Sequence, residues 1–213
     1  MNIALIGGTG FVGSAVLEEL LSRGHTVTAL ARDPARYRAR DRLEVVTADA
    51  LDASQVAQAV RGHDAVISAY NPGWNEPEIH ALFLRGTRAI IAGVKQAGLK
   101  RLLIVGGAGS LLVAPGVQLV DTPGFPAEYR EGALAAREAL NLIRAEDVLD
   151  WTFVSPPAFL APGERSGNFR IGGDELPMDG DRPAGISVAD LAVAIVDEIE
   201  QGLKLRQRFT VSS

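Results

Sequence analysis

Short apolar runs alternate along this chain with stretches whose apolar residues recur at helical spacing. Asn2 to Ile6 ends directly in Gly7-Gly8, as a buried strand entering a tight turn does. From Phe11 the period changes. Phe11, Val12, Ala15, Val16 and Leu20 fall on one helical face, and Gly24 stands where a helix C-terminus is capped. The alternation then continues, with Thr26 to Ala31, Leu43 to Thr47, Ala65 to Ala69, Leu102 to Val105 and Trp151 to Val154 reading as further buried strands. Helical patterns around Ala53 to Val60, Glu78 to Ala97 and Glu128 to Ala145 separate most of them. Strands joined by helices require crossovers, and crossovers of one hand make a parallel sheet covered on both faces. The expected fold class is therefore α/β, a doubly wound parallel sheet.

After Val154 the texture loosens. Residues 155–186 are rich in Pro and Gly and suit a loop-rich, substrate-side lobe better than a core element. A last helix is predicted from Ser187, where Ser187-x-x-Asp190 resembles a capping box and Val188, Leu191, Ala192, Ile195, Val196 and Ile199 form one apolar stripe. Gly202 ends it, and Arg208 to Val211 reads as a closing strand.

Composition narrows the function classes. With 213 residues, 47% of them hydrophobic and 22% charged, residues 1–213 are expected to form a single domain with its own core. No cysteine is present, which removes disulfides, thiol nucleophiles and zinc ribbons. His25, His63 and His80 lack ligand spacing, so no metal is expected. A net charge of −5 argues against a nucleic-acid partner, and the absence of a long apolar run argues against a membrane partner. The chain is expected to be cytoplasmic.

The chemistry concentrates in Gly7-Gly8-Thr9-Gly10-Phe11-Val12-Gly13. Three glycines alone mean little. Between a strand and a helix, however, small residues let the backbone approach a pyrophosphate, and the helix start offers free N–H groups to it. Gly7, Thr9, Gly10, Phe11, Val12 and Gly13 are thus candidate cofactor contacts. The second strand ends Leu30-Ala31-Arg32, and a guanidinium there suits a ribose 2′-phosphate, with Arg36 as a second contact. Asp33 supports the opposite reading, an acidic partner for free ribose hydroxyls. NADP(H) is expected over NAD(H). Arg38, Arg40 and Arg42 read as a solvated loop beside Asp33 and Asp41.

Further candidates follow the other strands. Asp49, with Ala50 and Leu51, sits where either an adenine contact or a simple loop cap fits. Ser68, Ala69 and Tyr70 follow the fourth strand, and Gly106 and Gly107 the fifth; both segments are expected on the nicotinamide side, with a flexible loop as the lesser alternative for the second.

Together, Ile3 to Gly13, Ala31-Arg32-Asp33-Pro34, Val105 to Leu111, Trp151 to Pro157 and Ile186-Ser187-x-x-Asp190-Leu191-Ala192 resemble the atypical short-chain dehydrogenase/reductase group. The likeness is to its NAD(P)H-binding branch, which takes in NmrA-like, biliverdin reductase B-like and NADH-flavin reductase-like proteins. The resemblance implies a Rossmann-type sheet, a small C-terminal substrate-side region, a nicotinamide cofactor, and Pro156 among its contacts. It leaves the substrate open.

Standard members of the superfamily use a Tyr-x-x-x-Lys pair, in which the lysine lowers the tyrosine pKa. Here Tyr37, Tyr70 and Tyr129 are followed four residues later by Asp41, Trp74 and Ala133, so the pair is missing. Hydride transfer survives that loss when the acceptor spreads charge over its own π-system. The expected activity is NADPH-dependent reduction of a small planar conjugated molecule such as a flavin or quinone. Trp74, Phe125 and Phe159 are candidate substrate contacts, although such side chains are more often simply packed, and Ser110 and Tyr129 are candidate catalytic groups. The alternative is a redox-sensing binding module of NmrA type without turnover. A sugar-nucleotide epimerase or dehydratase is a weaker third, lacking its base. Either a monomer or a homodimer is compatible with the two long helices.

Overall fold

A computed structural model describes residues 1–213. In chain order the elements are β1 (Asn2–Ile6), α1 (Phe11–Ser22), β2 (Thr26–Ala31), β3 (Leu43–Thr47), α2 (Ala53–Val60), β4 (Ala65–Ser68), α3 (Ile79–Gln96) and β5 (Arg101–Val105). A hairpin of β6 (Leu112–Ala114) and β7 (Val117–Gln118) follows, then α4 (Ala127–Arg144) and β8 (Asp150–Ser155). The last part holds β9 (Phe159–Ala161), β10 (Arg170–Gly172), β11 (Met178–Asp179), β12 (Arg182–Pro183), β13 (Gly185–Ser187), α5 (Val188–Gln201) and β14 (Gln207–Ser212).

The central sheet has eight strands in the order β10-β14-β8-β5-β4-β1-β2-β3. All neighbours are parallel except β10, which pairs antiparallel to β14. This is the doubly wound, Rossmann-type arrangement, and the strand order reverses at β1. The first unit runs β1 to β3 in one direction and the rest of the sheet grows in the other. Strand ends Ile6, Ser68, Val105 and Ser155 therefore share one edge.

A period of two divides each apolar run between two cores. Ala4, Ile6, Leu102, Ile104, Trp151 and Phe153 face α2, α3 and α4. Ile3, Leu5, Leu103, Val105 and Val154 face α1 and α5. Both faces are covered, so runs such as Leu102 to Val105 are apolar throughout instead of alternating.

Residues 155–186 carry more regular structure than their composition suggests. Short strands β9 to β13 lie there, pairing as β9 with β13, β11 with β12, and β10 with the main sheet. Two links fasten this region to the body. Glu19 of α1, nearly buried, accepts from Arg165 Nε at 2.7 Å and Nη2 at 2.8 Å, and also pairs with Arg23. Asp190 of α5 accepts from the Ser166 and Gly167 amides, both at 2.8 Å, and from Ser166 Oγ at 2.7 Å.

The helix ends largely follow the sequence. Ser187 Oγ accepts from the Asp190 amide at 2.9 Å, and Gly202 closes α5 in the left-handed conformation with φ 63°. The expected capping box is only half formed. Its acidic member, Asp190, holds the 166–167 turn instead of reaching back to the Ser187 amide. Arg40, read as a solvated loop residue, forms a two-pronged pair with Glu18 of α1. No helix is long and apolar enough to cross a membrane.

Candidate functional site

The site is built where β1 turns into α1. Gly7 adopts φ +82°, and a Cβ there would stand 2.6 Å from the Ala69 carbonyl carbon and closer still to its oxygen. Only glycine fits both the angle and the space. Gly13 faces the same constraint from the helix side, since its Cβ would stand 2.7 Å from the Gly7 carbonyl carbon and 3.0 Å from Gly8 Cα. The two glycines thus set α1 directly against the end of the sheet.

The turn closes with Gly10 N donating to Gly7 O at 3.0 Å and Ser14 N to Gly10 O at 2.9 Å. The amides of Phe11, Val12 and Gly13 then have no carbonyl four residues back to take them, and no side chain caps the helix. No acidic residue lies in the first turn to compete for the dipole. A cradle narrowed by missing side chains and lined with free N–H groups fits a diphosphate. The protein chemistry at this turn therefore suits a dinucleotide.

Around that turn the other candidates take separate places. Arg32 and Arg36 are both exposed and engage no carboxylate. Asp33 is committed locally: its Oδ1 accepts from Ala35 N at 3.1 Å and caps a short helical turn, Pro34–Arg36. Asp49 likewise acts as a loop cap, accepting from Leu51 N at 2.9 Å, while its own amide donates to Gln55 Oε1 at 2.9 Å. Ala50 and Leu51 are half-buried beside it.

Ser68 is buried, with its Oγ 3.4 Å from the Tyr70 amide that donates to it. Tyr70 packs its ring on Gly86 and Phe83, and its hydroxyl donates to Leu82 O at 3.3 Å. Burial pushes the Tyr70 phenol above its ordinary pKa; Arg32 and Arg85 oppose this, and Asp49 and Glu76 add to it. The phenol is thus kept protonated, with its hydroxyl turned to the Leu82 carbonyl.

Gly106 lies flat against the Phe153 ring and donates its amide to Val154 O at 2.8 Å. Gly107 precedes a short helical turn, Ala108–Ser110. Pro156 is buried just beyond β8. Ser110, a candidate catalytic group, is enclosed: Arg208 Nη1 donates to its Oγ at 3.1 Å and to its carbonyl at 3.2 Å. Arg208 is held in turn by Asp174, with Nε donating to Oδ1 at 2.6 Å.

Trp74 and Tyr129 come together. Their rings meet edge to face with centroids 5.2 Å apart, and they remain 54% and 45% exposed. The Trp74 ring also lies over Gly132 of α4, where a Cβ would stand 2.6 Å from it. Phe125 is half-buried at the turn before α4, and Phe159 is exposed on β9; neither ring touches the pair.

All three lysines lie at the opposite edge of the sheet. Lys95 pairs with Glu146 at 2.9 Å, Lys100 Nζ donates to Val148 O at 3.2 Å just before β5, and Lys204 precedes β14. The histidines are also engaged elsewhere, His25 with Glu200 at 2.8 Å, His63 with Thr28 at 2.8 Å, and His80 facing Glu138.

A doubly wound sheet with a glycine turn and free amides at its switch point defines a nicotinamide-dinucleotide-binding Rossmann protein. The chain belongs to the NAD(P)H-binding family, whose profile matches residues 7–200. It is 37% identical to the uncharacterized protein YwnB of Bacillus subtilis, over all of this chain and 99% of that one. A solved structure from Bacteroides thetaiotaomicron, provisionally named an epimerase, is 42% identical, with a TM-score of 0.92 over 99% of this chain and 96% of its own. Another from Streptococcus pneumoniae, provisionally named an NADH-flavin reductase, is 33% identical with a TM-score of 0.88 over 100% and 99% of the two chains.

Proposed function

We propose that this protein is an NADPH-dependent oxidoreductase that passes a hydride to a planar conjugated acceptor, a flavin or a quinone. The make-up of the carboxyl edge carries the reading. An exposed aromatic pair, Trp74 and Tyr129, stands there, whereas every lysine lies at the far edge, where none can lower the pKa of a catalytic tyrosine. Such an edge suits an acceptor that needs orientation more than it needs a strong acid.

When bound, the reduced nicotinamide supplies the hydride, two electrons with one proton, and a second proton comes to the acceptor from water. The residues of the chain hold and shape. Amides of Phe11, Val12 and Gly13 take the diphosphate, and Arg32 with Arg36 takes a 2′-phosphate. Asp33 accepts from Ala35 N and so is tied into the turn that carries Arg36. Ser68, Ala69, Tyr70, Gly106, Gly107 and Pro156 shape the nicotinamide end. Trp74 and Tyr129 offer a face on which a flat ring packs, with Phe125 and Phe159 as more distant walls.

The epimerase reading finds no support in the side chains, because proton abstraction there needs a base of the kind the far-edge lysines cannot assist. The test is NADPH oxidation with FMN, riboflavin and a series of quinones, followed by loss of the reduced nicotinamide absorbance. Turnover with at least one planar acceptor is expected. Tight NADPH binding with no turnover across the series would overturn the enzyme and favour a redox-sensing module of this family.

A further inference from the structure

Tyr37 has a fixed position in the fold and no protein partner for its hydroxyl. Its ring is half-buried against the core on the α1 and α5 side. The hydroxyl reaches the glycine turn, so that a Cβ on Gly8 would stand 2.7 Å from it. No hydrogen bond to the protein is formed by that hydroxyl. A phenol O–H needs an acceptor, and the groups exposed at this turn are backbone donors.

The segment that carries Tyr37 brings charge of the right sign. Parallel register pairs Ile6 with Leu30, so the glycine turn after β1 and the residues after β2 leave the sheet at the same edge. One turn, capped by Asp33, then brings the Tyr37 hydroxyl to Gly8, with the Arg36 charge acting on it. The phenol at Gly8 therefore shares one short stretch with Arg32 and Arg36, neither of which forms an ion pair; Arg38 and Arg42 farther along are also unpaired, whereas Arg40 pairs with Glu18. An anion with several acceptor oxygens would satisfy the phenol, Arg32 and Arg36.

We propose that the Tyr37 hydroxyl donates a hydrogen bond to the 2′-phosphate of NADPH and, with Arg32 and Arg36, distinguishes it from NADH. The inference rests on the dinucleotide reading above and adds a residue to it. Burial raises the Tyr37 pKa, with Arg36 opposing, which keeps the phenol protonated and able to donate at neutral pH.

The experiment is Tyr37→Phe, with NADPH and NADH titrated calorimetrically into the wild-type and variant full-length chains, alongside melting of each without ligand. Phe keeps the ring packing and removes only the hydroxyl. NADPH is expected to bind roughly tenfold more weakly, the size of one hydrogen bond to a charged group. NADH affinity and the ligand-free melting temperature are expected to stay unchanged. Equal weakening for both nucleotides, no change for NADPH, or a large fall in ligand-free melting would overturn the assignment. Wild-type protein that binds neither nucleotide would overturn the dinucleotide reading and this inference with it.

Discussion

The three glycines of the turn look equivalent in sequence, yet the structure predicts that alanine at Gly13 and at Gly10 will behave very differently. A Cβ on Gly13 would stand 2.7 Å from the Gly7 carbonyl carbon and 3.0 Å from Gly8 Cα, all of it backbone that cannot rotate away. To reach ordinary contact α1 must shift by roughly 1 Å, an overpacking cost of about 1–3 kcal/mol. Better helix propensity of alanine returns about 0.5–1 kcal/mol of that. The shift also carries the Phe11, Val12 and Gly13 amides away from the diphosphate. Each hydrogen bond to a charged group contributes about 1.5–3 kcal/mol, so losing two lowers affinity by at least roughly 100-fold. At Gly10 the corresponding Cβ meets only the Gly7 oxygen, at 3.3 Å, and φ is −81°. Alanine there costs under about 1 kcal/mol of stability, and its methyl weakens binding only by crowding the diphosphate, without moving α1. Urea denaturation and NADPH calorimetry on both variants give the comparison. Gly10→Ala losing as much stability as Gly13→Ala, or Gly13→Ala binding like wild type, would refute the reasoning.

Arg32→Ala removes an exposed, unpaired side chain, so stability should stay within about 0.5 kcal/mol while NADPH affinity falls roughly tenfold or more and NADH affinity does not; paired titrations check it. Trp74→Ala is expected to raise KM for planar acceptors with little effect on NADPH affinity, measured by steady-state kinetics. Asp190→Ala strands the Ser166 and Gly167 amides and should cost about 1–3 kcal/mol by denaturation, with faster proteolysis in that turn. The Glu19 carboxyl is held below its ordinary 4.5, chiefly by the Arg165 hydrogen bond, with burial opposing and Arg23 adding. Its contribution is full above the unfolded-state value and is lost as pH falls through the lower folded one. Glu19→Gln should therefore flatten the fall in stability below about pH 4.5, read from melting at graded pH.

The sequence made the main sheet legible because a strand buried on both faces leaves an unbroken apolar run, as Leu102 to Val105 does. The same logic hides β10 to β12. These strands have two or three residues, and most of their side chains are exposed, so no run forms. At the site, the glycine spacing is local and readable. What decides its detail is not local. Ser110 meets Arg208 across nearly half the chain, a contact that no spacing announces. Tyr37 reaches Gly8 only because Asp33 caps a turn that redirects the segment after β2, and a tyrosine in an arginine-rich stretch carries no sign of that. Asp49 left two roles open in sequence, and its bond to the Leu51 amide supplies the loop-cap role.

The central claim is that the β1–α1 turn holds a nicotinamide dinucleotide by its diphosphate through main-chain amides. Calorimetric titration of NADPH into the wild-type chain tests it most directly, with Gly13→Ala as the matched comparison. The account predicts saturable binding of one nucleotide per chain that is largely lost in Gly13→Ala. Absence of saturable heat in well-folded wild-type protein, with NADPH or with NADH, would contradict it.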